Sequence, residues 1–166
     1  MNKGIKKLII ALIAIIVLGF GAINILWYCH YSDYMDYRNA LSKEVVGGET
    51  IYTLSKNGYK YSIKCPDYLD FGGNMAIVDH NVESDGAEPV LLIWHKLFNK
   101  NKYGVILHLN GDRNSSYQIY VDKDGSPVFD KNDSDDFRNE AESIAQENKE
   151  TIAGLLSAMN DVWDIE

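Results

Sequence analysis

Residues 8–27 form an apolar run broken only by Asn24, and three lysines (Lys3, Lys6 and Lys7) precede it. As a helix rising roughly 1.5 Å per residue, such a run spans the ~30 Å hydrocarbon layer of a bilayer. Beyond it lie Asp33 and Asp36, offset only by Arg38. Positive charge stays on the cytoplasmic side, so the expected orientation has a cytoplasmic amino terminus and an external remainder. Trp27, Tyr28, Tyr31 and Tyr34 fall at the exit end, where amphipathic rings favour the headgroup zone.

A cleaved signal peptide is the alternative, with Gly19 and Gly21 as small residues near a cleavage site. The run continues through Ile23, Ile25, Leu26 and Trp27, further than a secretory core needs, which favours an uncleaved anchor. A lipid anchor on Cys29 is disfavoured by the bulky Trp27 and Tyr28 before it. The expected organisation is a membrane anchor with a basic start (1–28), a juxtamembrane helical stem (29–48) and an extracytoplasmic domain (49–166). The localisation that follows is a single-pass protein of the cell membrane, contacting lipid through residues 8–28.

Without the three anchor-side lysines, thirteen basic residues face twenty-four acidic ones, a formal charge of −11. Nucleic acid and anionic membrane surfaces need a basic footprint, so neither is an expected partner of the exported part. A basic protein partner is compatible with this charge, and so is simple solubility. Cys29 and Cys65 are the only cysteines, one at the membrane boundary and one in a strand pattern, so no disulfide framework is read.

Tyr34, Tyr37 and Leu41 recur at helical spacing, so the stem reads as a continuation of the anchor helix that ends at Gly47-Gly48. The period then changes to two. Residues 50–56 and 59–65 flank Asn57-Gly58, a strong hairpin signal because both turn positions need positive φ. That turn sets Leu54 opposite Tyr61, Tyr52 opposite Ile63 and Thr50 opposite Cys65. Further strands are read at 75–78, 90–98, 103–110 and 116–122. A symmetric hairpin through Asn99-Lys100-Asn101-Lys102 pairs Phe98 with Tyr103, Trp94 with Leu107 and Leu92 with Leu109. Trp94, Leu107, Tyr117, Ile119 and Val121 would then share the core face.

After Gly125 the composition becomes helical. Asp133 or Ser134 can cap, and Asp135 and Asp136 suit the positive end of the dipole. Phe137, Ala141, Ile144, Ile152, Leu155, Met159 and Val162 or Trp163 form one apolar stripe. A kink or break is expected at Gly154 or within 146–150. The fold class is α+β: an N-terminal transmembrane helix, an antiparallel meander of about six strands, and a C-terminal amphipathic helix packed on one face.

No motif supplies a nucleophile with its base, a zinc-binding His-Glu-x-x-His or a phosphate-binding glycine loop, so an enzyme is not expected. Asp122-Lys123-Asp124-Gly125 and residues 130–136 invite a calcium reading. Neither fits an EF-hand loop, and a tight turn followed by a helix cap accounts for both. No metal or cofactor is expected.

In the symmetric register His95 pairs with Ile106, and His108 with Ile93. The two histidines become diagonal neighbours, ~7–8 Å apart, on the face away from the helix. Two histidines without a third ligand make a poor zinc site. The alternative is a binding surface made of Ile93, His95, Ile106, His108, Gln118 and Tyr120, since such mixed aromatic and polar surfaces favour protein contacts. The acidic 79–88 loop, with Asp79, Glu83, Asp85 and Glu88, would extend it. Tyr120 is the expected energetic anchor.

The layout, together with Leu91-Leu92-Ile93-Trp94-His95-Lys96-Leu97-Phe98, Lys102-Tyr103-Gly104-Val105 and Tyr117-Gln118-Ile119-Tyr120-Val121-Asp122-Lys123-Asp124-Gly125, resembles TipC-type immunity proteins. The resemblance covers roughly residues 50–125 and rests on pattern. It implies a membrane-anchored bacterial antitoxin that neutralises a secreted, cell-wall-precursor-degrading toxin outside the membrane. It implies steric occlusion, with no catalytic residue to carry over and a secreted protein toxin as partner. The 117–125 segment is also similar to the strand and turn of PepSY-like exported domains. Rival readings are an anchored sensor or inhibitor of another extracytoplasmic protein, a structural subunit of an envelope complex, and an unrecognised hydrolase.

Overall fold

The computed structural model describes residues 3–82, 87–97, 101–108, 115–163 and 165. It is an α+β fold with one long helix, α1 (Lys3–Arg38), ahead of the sheet. The most apolar stretch of α1 has a mean hydropathy of 2.8, and none of it is buried. Among the described residues it is the one helix long and apolar enough to cross a membrane.

Seven strands follow in chain order, each antiparallel to the next: β1 (Ser42–Val46), β2 (Glu49–Lys56), β3 (Tyr59–Lys64), β4 (Asn74–Asp79), β5 (Val90–Trp94), β6 (Lys102–His108) and β7 (Ser116–Val121). The Asn57-Gly58 turn forms as expected, with both residues at positive φ, and it sets Leu54 opposite Tyr61 and Tyr52 opposite Ile63. Two helices, α2 (Asp135–Glu147) and α3 (Lys149–Trp163), close the chain. Ser134 caps α2 by accepting the Phe137 N–H, and the break between the helices falls at Asn148.

The sheet has one strand more than the sequence pattern suggests. The stem does not run helically to Val45: α1 ends at Arg38, and β1 pairs with β2 across Gly47-Gly48. Both glycines have positive φ, so the pair is a hairpin turn and not a helix stop.

The core lies on one face of the sheet. Tyr61, Ile63, Met75, Ile77, Leu91, Ile93, Val105 and Ile119 alternate onto it and are buried. Helix α3 covers this face with Ile152, Leu155, Met159 and Trp163. The Trp163 ring stands edge-on to Tyr61 at 5.4 Å, and the Tyr61 hydroxyl donates to the Ala158 carbonyl. The end of α1 joins the same core. Tyr34 is 1% exposed, Tyr37 packs beside it, and Arg38 donates to the Tyr52 hydroxyl at 2.9 Å.

The β5–β6 register corrects the symmetric hairpin. Ile93 pairs with Tyr103 and Trp94 with Lys102, so β6 is displaced five residues from the expected alignment. An odd displacement exchanges faces. Leu107, Ile119 and Val121 are core as expected, but Leu91 and Ile93 join them in place of Leu92 and Trp94.

Candidate functional site

The face opposite the helices is built by the even-numbered residues of β4 to β7. Ala76, Val78, Val90, Leu92, Trp94, Ile106 and Tyr120 are half-buried on it, with Lys102 and Gln118 exposed. Each of these strands thus spends its second apolar face away from the helices. At the centre, Trp94 lies across Gly104: a Cβ there would come within 2.9 Å of the indole Cζ3. Glycine lets the ring lie flat against the backbone. Tyr120 stands beside it, its ring centroid 6.1 Å from that of Trp94. Lys102 holds its ammonium 3.5 Å above the Tyr120 ring, a cation–π contact that leaves charge at the rim of an aromatic centre. Asn101, Lys102, Tyr120, Asp122 and Val128 line a groove of about 570 Å3 at this end.

The expected surface residues are therefore divided. Ile106, His108, Gln118 and Tyr120 share the open face. Ile93 does not: it is 0% exposed, because the register turns it into the core. His95 lies beyond the end of β5, against α1, and is not a diagonal neighbour of His108. Asp79 is buried at the end of β4, where its carboxylate accepts from the Asn81 backbone and side-chain amides, so it is no part of an exposed acidic loop. Glu88 is half-buried with His80 3.9 Å away, and Glu83 and Asp85 lie outside the described residues. Periodicity could not have singled out Trp94 for the open face, because 90–94 is apolar at every position.

The two acidic turns have internal uses. One Asp122 carboxylate oxygen accepts from the Asp124 and Ser126 N–H groups, with Gly125 at positive φ. Asp133 accepts from the Asp130 N–H at 2.7 Å just before the Ser134 cap. Among the described residues no group of three or more His, Cys, Asp or Glu is placed to hold a metal.

A second cluster sits where α1 meets the sheet. His95 Nε2 donates to Asp33 at 3.1 Å, and His30 Nε2 donates to the Phe71 carbonyl at 3.1 Å. The two imidazoles lie nearly parallel, 6.1 Å apart, and the Nδ1 atom of each is buried without a hydrogen-bond partner. Burial pushes the Tyr34 hydroxyl up to about 12 and lowers the His30 pKa from 6.5. An imidazole whose pKa is lowered by folding protonates first in the unfolded chain. The stability contributed by neutral His30 is complete above about pH 6.5 and is lost as pH falls below it. The intact chain in detergent should thus melt at a lower temperature at pH 5 than at pH 7.5. His30→Gln, which keeps a donor for Phe71, should shrink that difference; an unchanged difference assigns the acid sensitivity to other groups.

The arrangement is a half-buried apolar and aromatic face left open on the side of the sheet away from the helices. Comparison with protein-family models, with curated proteins and with solved structures found no match for this chain.

Proposed function

We propose that this chain is a membrane-anchored, extracytoplasmic binding protein that neutralises a secreted antibacterial toxin by occluding it. The observation that carries the reading is the open sheet face. An apolar and aromatic centre of Leu92, Trp94, Ile106 and Tyr120 is rimmed by Lys102, Gln118 and His108. Protein interfaces have this anatomy, and large aromatic side chains dominate their energetics. The resemblance to TipC-type immunity proteins supplies the partner class, a toxin acting on cell-wall precursors. Occlusion needs no catalytic group, and we take the protein to be a binder and not an enzyme.

The anchor fits the same reading. With α1 spanning the bilayer and its lysines inside, the domain stands at the outer surface, where such a toxin meets a membrane-bound precursor. Tethering raises the domain's effective concentration there without any new contact. The net negative charge of the exported part steers a basic toxin towards it and accelerates encounter.

Tyr120→Asp tests this directly. It replaces the aromatic ring by a short carboxylate beside Lys102 without touching the core, so the thermal transition should move little. Cells carrying the intact chain should survive a secreted toxin encoded beside it, and cells carrying Tyr120→Asp should not, a loss of roughly 2 kcal/mol or more in binding. Full protection by the variant would show that another surface does the work. Partner capture without protection would favour an anchored sensor or inhibitor of a different extracytoplasmic protein.

A further inference from the structure

The loop between β3 and β4 lies along α1. The Asp67 carbonyl accepts from the Trp27 indole N–H at 2.7 Å, and the Tyr68 hydroxyl donates to the Asn24 side chain at 2.7 Å. The Tyr68 ring stands edge-on to Trp27 at 5.1 Å, while Phe71 lies against His30. The loop therefore starts down the helix at Asn24 and climbs towards the domain.

Depth follows from that contact. Asn24 is the single polar break in the apolar run, three residues before its end at Trp27. At roughly 1.5 Å per residue it lies about 4.5 Å inside the end of the run. Tyr68 reaches that level, yet its ring is 61% exposed and Phe71 is 43% exposed. An aromatic ring held at this depth and uncovered by protein faces lipid. The tip is also conformationally fixed: Leu69 adopts φ 60°, an unfavourable region for a branched side chain, in a turn closed by the Asp70 N–H to the Asp67 carbonyl. We propose that this loop is a second membrane contact, with Tyr68 and Phe71 seated in the phospholipid interface beside the anchor. Amphipathic rings favour that zone, and Asp67 and Asp70 remain at headgroup level, where water is available.

Two consequences follow. The Asn24 amide donates to the Phe20 carbonyl, and Tyr68 satisfies the side-chain oxygen that would otherwise be left at the membrane boundary. A second contact beside the helix also reinforces the orientation that the packed end of α1 gives the domain. The inference rests on α1 spanning the bilayer.

The test uses the full chain, with Cys29 and Cys65 changed to Ser, in phosphatidylcholine–phosphatidylglycerol vesicles. Spin labels are placed singly by Tyr68→Cys, Phe71→Cys, Ile13→Cys and Lys123→Cys. Accessibility is read with oxygen, which concentrates in lipid, and with a water-soluble nickel complex. The expected result is a lipid-interface signature at 68 and 71, deep lipid at 13 and water at 123. If 13 lies in lipid while both 68 and 71 are as water-accessible as 123, the loop contact is wrong and the anchor stands. If 13 is itself exposed to water, the spanning reading fails and this inference fails with it.

Discussion

Ile93→Ala should lower the unfolding free energy by about 2–5 kcal/mol, the usual cost of emptying a fully buried aliphatic site. Ile106→Ala, on the neighbouring strand and the opposite face, should cost about 1 kcal/mol or less, because its side chain is half-buried on the open face. Urea unfolding of the intact chain in detergent provides the comparison. The pair tests the β5–β6 register directly. In the symmetric alignment Ile93 and Ile106 would share the outer face and their costs would be alike. Similar small losses would overturn the observed register, and with it the placement of Trp94 beside Tyr120.

Tyr34→Ala should be as damaging, at about 3–5 kcal/mol, although Tyr34 belongs to the helix whose first part is long and apolar enough to cross a membrane. Its ring is enclosed by the domain, and a Cβ added at Gly73 would sit 3.0 Å from its Cζ. The end of α1 is thus part of the core and not a spacer. A soluble form starting at residue 29 retains His30, Tyr34 and Tyr37, and should fold cooperatively. One starting at residue 39 loses all three and should melt well below it, because the site beside Gly73 and His95 that Tyr34 fills would be empty. Equal melting temperatures would show that the helix end merely rests on the domain.

The continuity fixes the open sheet face relative to α1. Helix α1 enters the domain without an intervening linker, through Trp27, His30 and Tyr34 in succession. On the proposed spanning of a bilayer by α1, the open face has a defined height and direction relative to the membrane. The proposed neutralising role would gain from that arrangement, since part of the orientational cost of binding would be met by the fold beforehand.

Several elements were legible from residues alone because local chemistry decides them. The 8–27 run is apolar at every position but one, and only a long helix satisfies its backbone without water. Asn57-Gly58 tolerates positive φ at both positions, so the β2–β3 hairpin and its register follow from two residues. Ser134 accepts from the N–H three residues on, which sets the start of α2. The alternation of Tyr61 and Ile63 with Ser62 and Lys64 shows which side is wet. The Gly47-Gly48 hairpin was equally local, since β-branched residues flank it, but the helical spacing of Tyr34, Tyr37 and Leu41 masked it.

The division of the candidate site was decided by tertiary structure. Val90-Leu91-Leu92-Ile93-Trp94 carries no polar position to mark a face, and the segment that follows it has no two-residue turn to fix the pairing. Register there is chosen by what the partner strands and helices can bury. Leu91 and Ile93 fit beneath α3 and the end of α1, and Trp94 is left to lie over Gly104. His95 meets Asp33 and Phe71 meets His30 only because the sheet brings distant segments against the helix that precedes it. Sequence by itself determined that this chain has a membrane-length helix, hairpins and an amphipathic carboxyl end, since each follows from neighbours along the chain. Which residues lie on the open sheet face and which lie against α1 depended on packing between segments tens of residues apart.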